Sequence, residues 1–198
     1  MDVIEAMESC IAMRYLREEP VPREVLERLL YAATRASNPG NSQGWEFLVL
    51  TDQALKEKIG AVIEAGMAPA FANKPEGLDG VAERMYLGAQ HLASNFARVP
   101  AWIIGGARKI YPPHDPQVHF MHSTIYPAAQ NLIVAARSLG VGTCFTTFQM
   151  VGEQVMRESL SIPDDVHLCV CIAVGYPERP FSKVRRRPVD EVVHWNGW

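Results

Sequence analysis

One short stretch constrains the fold more than any other part of the chain: the eight residues HLCVCIAV at positions 167–174. A strand with one face in water alternates apolar and polar side chains, whereas a strand buried on both faces is apolar almost throughout. The stretch therefore predicts a central strand that is covered on both faces. Cys169 and Cys171 stand two positions apart within it, so we expect them to face the same side of the sheet.

Hydrophobic periodicity and helix-end signals define the other elements. Helices are predicted at 3–13, 22–36, 52–65 with Asp52 as N-cap, 81–96, 123–139 and 150–160, and strands at 45–50, 101–105 and 141–148. Residues 66–80 are predicted to form a mobile loop, residues 107–121 no regular helix, and the tail from Gly175 an extended segment over the surface or over a partner. The chain, residues 1–198, is thus predicted to be one α+β domain.

Composition excludes several classes of function. The 198 residues carry a formal net charge of −3, which gives no overall attraction to nucleic acid or to anionic membranes. No uncharged apolar run reaches the roughly 18 residues that a membrane span needs. The first residues, MDVIE, are acidic where a secretory signal is basic. We therefore expect a cytoplasmic protein without nucleic-acid or membrane partners.

The residue types that bind metals are not spaced as a metal site. The four cysteines, at 10, 144, 169 and 171, lack the CxxC-like spacing of zinc ligands, which favours reduced thiols. His114, His119 and His122 lie close together in a proline-rich stretch, where exposed loop histidines are favoured over a metal site. We therefore expect no bound metal.

A polar turn precedes the first predicted strand. Residues 37–44, SNPGNSQG, combine turn-forming residues with the amides of Asn38, Asn41 and Gln43, and are named the amide loop below. Polar loops at the mouth of a buried strand commonly bind ligands. Amides match a ring edge that offers both hydrogen-bond donors and acceptors.

Basic residues and threonines elsewhere suit a ligand with an anionic end and a flat ring. Arg14 is predicted to end the first helix, three threonines at 143, 146 and 147 line a predicted strand, and KVRRR at 183–187 places four positive charges in five residues. The planar fork of arginine binds phosphate through two hydrogen bonds. Taken singly, each feature has a simpler interpretation, with Arg14 in a surface ion pair and 183–187 as a solvated patch.

Together these features resemble the nitroreductase family of FMN-dependent oxidoreductases, from about residue 3 to the C-terminus. The frame Asn41-x-Gln43-x-Trp45-x-Phe47 is the most specific match to the family pattern. Further matches are Arg14 before Pro20-Val21, Ala32-Ala33 before the amide loop, Gln130-Asn131-Leu132 with Ala135-Ala136 and Leu139-Gly140-Val141-Gly142, and Gly175-Tyr176-Pro177 before the basic run.

The resemblance implies a three-layer α+β fold. A central mixed or antiparallel sheet of about four or five strands would lie between helices, with a C-terminal extension wrapped around a partner subunit. It also implies a homodimer with FMN between the subunits. Electrons would pass from NADH or NADPH through the flavin to a nitroaromatic, quinone or activated-alkene acceptor by a ping-pong mechanism. The flavin carries the chemistry, so no side chain is expected to act as acid, base or nucleophile.

The resemblance assigns cofactor contacts to Arg14, Ser37, Asn38, Pro39, Asn41, Gln43, Phe145, Thr146, Thr147, Arg185 and Arg187. Arg14 is expected near N1 and the C2 oxygen of the flavin, where a positive charge stabilises the anionic reduced ring. Asn41 and Gln43 are expected at the ring edge or the ribityl chain, with Gln43 alternatively bracing the loop. The backbone at 145–147 is expected near N5, and the two tail arginines at the phosphate.

Two positions depart from the family pattern. Cys10 stands where the family has its first arginine and Ala12 where it has serine, and both positions normally help to hold the FMN phosphate. Phosphate binding must then depend on the tail arginines, or the cofactor is held more weakly. A different flavin remains open, as do a specialised relative that uses reduced flavin on a defined substrate or with oxygen, and a non-catalytic flavin-binding protein.

One predicted helix supports a dimer independently of the resemblance. Residues 123–139, STIYPAAQNLIVAARSL, are apolar nearly all round. A helix of that kind is buried, either in a core or between subunits. A monomer with a fully internal helix is the alternative.

Overall fold

The computed structural model describes residues 1–198. Its helices are α1 (Val3–Ser9), α2 (Arg23–Ala33), α3 (Gln53–Phe71), α4 (Gly80–Ser94), α5 (Val118–Ser138) and α6 (Gln149–Leu160), and its strands are β1 (Trp45–Leu50), β2 (Ala101–Arg108), β3 (Gly142–Thr146) and β4 (Val166–Gly175). Short 3-10 turns occupy Pro39–Asn41, Phe96–Arg98 and Val189–Glu191.

The strands form one antiparallel sheet in the order β1-β2-β4-β3. The apolar run at 167–174 lies in β4, which pairs with β2 on one side and with β3 on the other. The prediction of a central strand is therefore confirmed. β1 and β3 are the two edges of the sheet.

Helices cover both faces of the sheet. On one face, α2 and α5 pack Leu29, Ile125 and Leu132 against Ile103 and Ile172. On the other face, α3 and α6 pack Ile59, Ile63 and Met156 against Trp102 and Ile104. Each of these side chains is at most 1% exposed, and burying one large apolar side chain stabilises a fold by about 1.5–3 kcal/mol. The predicted three-layer α+β arrangement is confirmed.

The start of α3 follows the sequence prediction, and its end does not. The Asp52 carboxylate accepts the Leu55 N–H at 2.9 Å, which confirms the predicted N-cap. α3 then continues through Pro69 to Phe71, so the first part of the predicted loop 66–80 is helical. Gly66 and Pro69 predicted a break, but Met67 and Phe71 pack against the core on this face and hold the last turns in place.

Two other boundaries lie inside the stretch 107–121. β2 continues to Arg108, and α5 begins at Val118, whereas the prolines predicted no regular helix there. The prolines occupy the connection itself, and the helix starts as soon as they end. The prolines therefore exclude a regular helix where they stand, as predicted. Only the predicted extent of the non-helical stretch, through residue 121, is wrong.

A bulge in β4 overturns one prediction. The register between β2 and β4 shifts between Gly105 and Gly106, which leaves Cys169 without a partner in the ladder. Cys169 consequently packs on the α2–α5 side, whereas Cys171 packs on the α3–α6 side. The expectation that both thiols face the same side is wrong, because the alternation of side chains is interrupted at a bulge.

The C-terminal tail first follows the N-terminal segment of its own chain. Arg17 N–H donates to Tyr176 O at 2.8 Å, and Val184 N–H donates to Glu8 O at 2.7 Å. Every residue from 185 to 198 is exposed. None of the helices combines the length and the apolar character that crossing a lipid bilayer requires.

Candidate functional site

The sequence predicted that Arg14 ends the first helix. In the structure, Arg14 lies beyond the end of that helix. α1 stops at Ser9, and residues 10–17 continue as irregular and extended chain along the outer edge of β3. Met13 N–H donates to Thr143 O at 2.8 Å. The apolar spacing predicted further helical turns, but hydrogen bonding to the open edge of β3 replaces them. Arg14 is therefore fixed to the sheet.

The Arg14 side chain is half-buried and unpaired. Its guanidinium takes part in none of the ion pairs of the protein. It borders a narrow cavity of about 90 Å³ together with Glu18 and Glu178, and Glu18 already pairs with Arg98. A half-buried guanidinium without an ion pair is available to an anionic or hydrogen-bond-accepting ligand.

α4 and the tail fix the chain around Arg14. A Cβ atom added to Gly88 of α4 would lie 3.0 Å from Arg14 Cδ, so the arginine stem passes directly over this glycine. Tyr15 stacks on His91 of α4 with ring centroids 4.2 Å apart, and the Arg179 guanidinium lies 4.0 Å from the centroid of the Tyr15 ring. The direction of Arg14 is thus set by β3, α4 and the tail together.

The end of β3 presents threonines of two different kinds. Thr146 is buried, and its hydroxyl donates to Cys171 O at 2.6 Å, so this side chain is not available to a ligand. Thr147 lies just beyond the strand and is exposed. Phe145 is 41% exposed and meets Tyr126 of α5 with ring centroids 5.8 Å apart. An apolar ring and a free hydroxyl therefore face outward at this edge.

The thiol of Cys144, next to this edge, has low reactivity. Burial raises the pKa of Cys144 to about 11, and the opposing effect of the Arg14 charge is smaller. The thiolate is the reactive form of cysteine, so Cys144 is unreactive near neutral pH. No group of three or more His, Cys, Asp or Glu side chains is placed to hold a metal ion.

The amide loop has an unusual backbone conformation, which one of its own side chains stabilises. Gly40, Asn41 and Gln43 have φ values of 58°, 49° and 51°. The left-handed region costs roughly 1–2 kcal/mol for most residues. The Asn38 side chain accepts the Gln43 N–H at 2.8 Å and stabilises this conformation. Asn38 therefore braces the loop, and the side chains of Asn41 and Gln43 are exposed.

The remaining loop residues surround this brace. Ser37 is exposed at the entrance of the loop, and Pro39 begins the 3-10 turn. Gly40 packs so closely on the Tyr111 ring that an added Cβ would lie 2.2 Å from a ring carbon. The loop thus rests on the connection between β2 and α5 and presents its amides outward.

Within one chain, the structure does not bring the amide loop and Arg14 together. The loop leads into Trp45 of β1, and Arg14 follows the outer edge of β3. β1 and β3 are opposite edges of a four-stranded sheet. Three inter-strand spacings of about 4.8 Å place these edges roughly 14 Å apart. These two groups, which the sequence predicted to contact one ring, therefore do not meet within one chain.

The two predicted tail arginines lie in different surroundings. Arg187 donates to Glu191 at 3.2 Å, so it is already engaged. Arg185 is exposed and forms no ion pair, although the neighbouring Lys183 pairs with Glu8 at 3.0 Å. The tail therefore places Arg185 near the end of α1 with its guanidinium free.

A larger cavity of the chain lies elsewhere. It measures about 670 Å³, is bordered by the N-terminal parts of α2 and α3, and contains neither Arg14 nor the amide loop. Lys56 lies at its wall, where Nζ donates to Val99 O at 2.8 Å, and burial lowers the pKa of this amine. The buried lysine thus satisfies backbone carbonyls, and this cavity is not the candidate site.

Comparison with protein families identifies the family of the chain. The model of the Nitroreductase family matches residues 8–176, most of the chain. The chain belongs to the nitroreductase family. The matched range includes Arg14, the amide loop and the end of β3, and it ends before the tail arginines.

Relatives of this nitroreductase-family chain fall into two groups. Iodotyrosine deiodinase 1 of Rattus norvegicus is 25% identical over 199 residues, which cover 92% of this chain and 65% of the deiodinase. The chain thus spans less than two thirds of the length of that relative. A protein of Archaeoglobus fulgidus, provisionally named NADH dehydrogenase/NAD(P)H nitroreductase, is 24% identical and covers 97% of this chain and 100% of its own length.

Solved structures share the fold of this nitroreductase-family chain. An oxidized iodotyrosine deiodinase bound to FMN and 3-iodo-L-tyrosine has a TM-score of 0.79 at 22% identity, with 100% of both chains covered. A point mutant of NfnB, an FMN- and NADPH-dependent nitroreductase from a Sphigopyxis strain, has a TM-score of 0.77 at 21% identity, with 100% of both chains covered.

Sequence reasoning missed two residues of this region. Gly88 lies under Arg14, and Arg137 donates to Ser9 beside the departure at position 10. A glycine inside a predicted helix is a recognisable sign of close packing, so Gly88 could have been singled out. Nothing in the sequence connects Arg137 with Ser9, because they are 128 positions apart.

Proposed function

We propose that the protein is a homodimeric, FMN-dependent oxidoreductase. It takes electrons from NADH or NADPH and delivers them to a nitroaromatic, a quinone or an activated alkene, with donor and acceptor using the same pocket in turn. FMN, when bound, supplies hydride chemistry at N5. The residues of the chain bind it, orient it and stabilise its charge.

The observation that carries the proposal is the unpaired guanidinium of Arg14 on a fixed strand edge. A half-buried arginine without an ion pair is unusual for a purely structural residue, since burial of an unpaired charge is costly. Placed against the N1 and C2 oxygen side of a flavin, it stabilises negative charge on the reduced ring. The donor set therefore fits FMN.

The end of β3 fits the opposite side of the ring. The exposed Phe145 gives an apolar surface, and the backbone at 145–147 and the free hydroxyl of Thr147 offer hydrogen-bonding groups near N5. Thr146 contributes through its backbone only, because its hydroxyl is used by Cys171. The chemistry needs no acid, base or nucleophile from the chain.

The separation of the two sheet edges supports the proposed homodimer. One chain places Arg14 beyond the β3 edge and the exposed amides of Asn41 and Gln43 at the opposite, β1 edge. Two copies related by a twofold axis bring the β3 edge of each next to the amide loop of the other. Two identical sites result, each built from both chains.

The tail arginines are proposed to hold the FMN phosphate. Replacement of Arg185 by alanine should weaken binding of FMN much more than binding of riboflavin, which lacks the phosphate. Replacement of Arg187 by alanine should also weaken FMN binding more than riboflavin binding. The loss should be smaller than for Arg185, because Arg187 already donates to Glu191. Equal losses for both ligands would show that the tail does not contact the phosphate.

The function is tested with purified protein and FMN. Anaerobic titration with NADH and then with NADPH should bleach the visible flavin absorption, and addition of a nitroaromatic or a quinone should restore it. Protein that remains colourless after incubation with FMN contradicts the proposal. Flavin that binds but is reduced by neither nicotinamide favours a non-catalytic flavin-binding protein.

A specialised reaction is the second candidate, and the deiodinase relatives favour it. One of the similar structures is an iodotyrosine deiodinase that binds FMN and 3-iodo-L-tyrosine. Residues 72–79 connect α3 to α4, and α4 packs on Arg14 at Gly88, so this connection is the segment that we propose covers a substrate. Dehalogenation of 3-iodo-L-tyrosine by the reduced protein, with slow nitroaromatic turnover, would select this candidate over the first.

A further inference from the structure

Arg137 lies in the last turn of α5 and reaches across to the end of α1. Its Nε donates to the Ser9 hydroxyl at 2.8 Å, and its guanidinium lies 4.1 Å from the centroid of the Phe181 ring in the tail. The Ser9 hydroxyl in turn donates to Glu5 O at 2.7 Å. The guanidinium is thus held in place by α1 and by the tail.

These contacts leave the charge of Arg137 unpaired. The side chain takes part in none of the ion pairs of the protein, and its only hydrogen bond uses Nε. The nearby carboxylate of Glu8 pairs with Lys183 instead. A cation in the last turn of a helix also interacts favourably with the helix dipole, but that role does not require the two Nη groups.

Two further features place Arg137 beside the tail cations. Phe181, which contacts its guanidinium, lies four residues before Arg185. Val184 N–H donates to Glu8 O at 2.7 Å, which holds the intervening residues across the end of α1. Position 10, where the resemblance has a phosphate-binding arginine and this chain has Cys10, directly follows Ser9.

We propose that Arg137 and Arg185 together bind the FMN phosphate, and that Arg137 takes the place of the basic residue missing at position 10. The inference rests on the proposed function and adds to it a residue that the sequence pattern did not indicate. Both free Nη groups of Arg137 can donate to one phosphate, as in other two-bond arginine–phosphate contacts. The contacts with Ser9 and Phe181 hold this fork in place before the ligand arrives.

The experiment compares FMN with riboflavin in full-length Arg137→Met, Arg137→Lys and wild-type protein. Hydrogen bonds to charged groups are worth about 1.5–3 kcal/mol, so Arg137→Met should weaken FMN binding about tenfold or more. Riboflavin affinity should stay within about twofold, because the phosphate is the only part that differs. Arg137→Lys keeps the charge and loses the fork, so it should lose less FMN affinity.

Two controls separate phosphate binding from a structural role. Lys58→Met removes one positive charge from an exposed site on α3, on the other face of the sheet, and should leave both affinities unchanged. Ser9→Ala keeps the guanidinium but removes its tether, and should weaken FMN alone by a smaller factor than Arg137→Met. Equal losses of FMN and riboflavin in the two Arg137 variants would overturn the inference. Failure of the wild-type protein to bind either flavin would instead overturn the proposed function.

Discussion

The two edges of the sheet differ in what they present. The β3 edge pairs with the N-terminal segment at Ala12 and Met13, and it presents the fixed guanidinium of Arg14 and, separately, the exposed phenyl ring of Phe145. The β1 edge pairs with nothing on its outer side and is entered through the amide loop. One edge thus presents a positive charge, and the other presents neutral hydrogen-bonding groups.

This difference is the basis of the proposed two-chain flavin site. A tricyclic ring needs contacts on two sides, and one sheet offers both kinds of contact at edges about 14 Å apart. In the proposed homodimer, a twofold axis would bring unlike edges together without a second domain.

The largest effect is expected from the charged edge. Arg14→Ala should lower FMN affinity about tenfold or more, since bonds to charged groups are worth about 1.5–3 kcal/mol, and it should lower the reduction potential of bound flavin. The melting temperature should change little, because Arg14 forms no ion pair. Arg17→Ala, three residues on and exposed, is the control and should leave flavin binding unchanged. Unchanged affinity and potential in Arg14→Ala would remove this residue from the site.

Mixing two defective chains tests most directly whether edges of different chains form one site. Arg14→Ala and Asn41→Ala/Gln43→Ala homodimers should each bind flavin poorly. A heterodimer of the two contains one site with both defects and one with neither, so statistical mixing should restore about a quarter of the wild-type sites. Flavin content after joint refolding measures this recovery. No recovery from heterodimers that have formed would place both groups in the same chain's site or outside any site.

The neutral edge is tested through its backbone. Gly40→Ala places a Cβ 2.2 Å from the Tyr111 ring at a φ of +58°, so it should distort the amide loop and lower both stability and flavin affinity. Gly77→Ala is a matched control, since its φ is +72° and an added Cβ meets nothing within 4 Å. The control should cost about 1–2 kcal/mol of stability without loss of flavin affinity. Equal flavin affinities in the two variants would show that the loop does not contact the ring.

The same two edges show how far the sequence could be interpreted. The amide loop was recognisable because turn-formers, amides and the Trp45–Phe47 frame are contiguous, and β4 was recognisable as a continuous apolar run. The β3 edge was less accessible. Pairing of Met13 with Thr143 joins residues 130 positions apart and stops a helix that local spacing predicted to continue. Likewise, the bulge at Cys169 depends on the glycines of β2, which lie in a different segment.

The smallest effect is expected beneath Arg14. Gly88→Ala adds a Cβ 3.0 Å from Arg14 Cδ, so the arginine stem must move by a few tenths of an ångström. Alanine gains roughly 1 kcal/mol in helix propensity over glycine, and overpacking offsets part of this gain. We expect nearly unchanged stability with a few-fold change in the affinity of bound flavin for sulfite, whose anionic adduct responds to positive charge near N1.

Gly80→Ala in the same helix separates the two contributions. An added Cβ there comes no closer than 3.5 Å to any atom, the Arg84 side chain, so this variant gains propensity without moving Arg14. It should be at least as stable as wild type and should bind sulfite with wild-type affinity. If Gly88→Ala and Gly80→Ala behave alike towards sulfite, the position of Arg14 does not depend on α4. The direction of the Arg14 side chain would then be set by β3 and the tail alone, and residues 10–17 would be sufficient to position it.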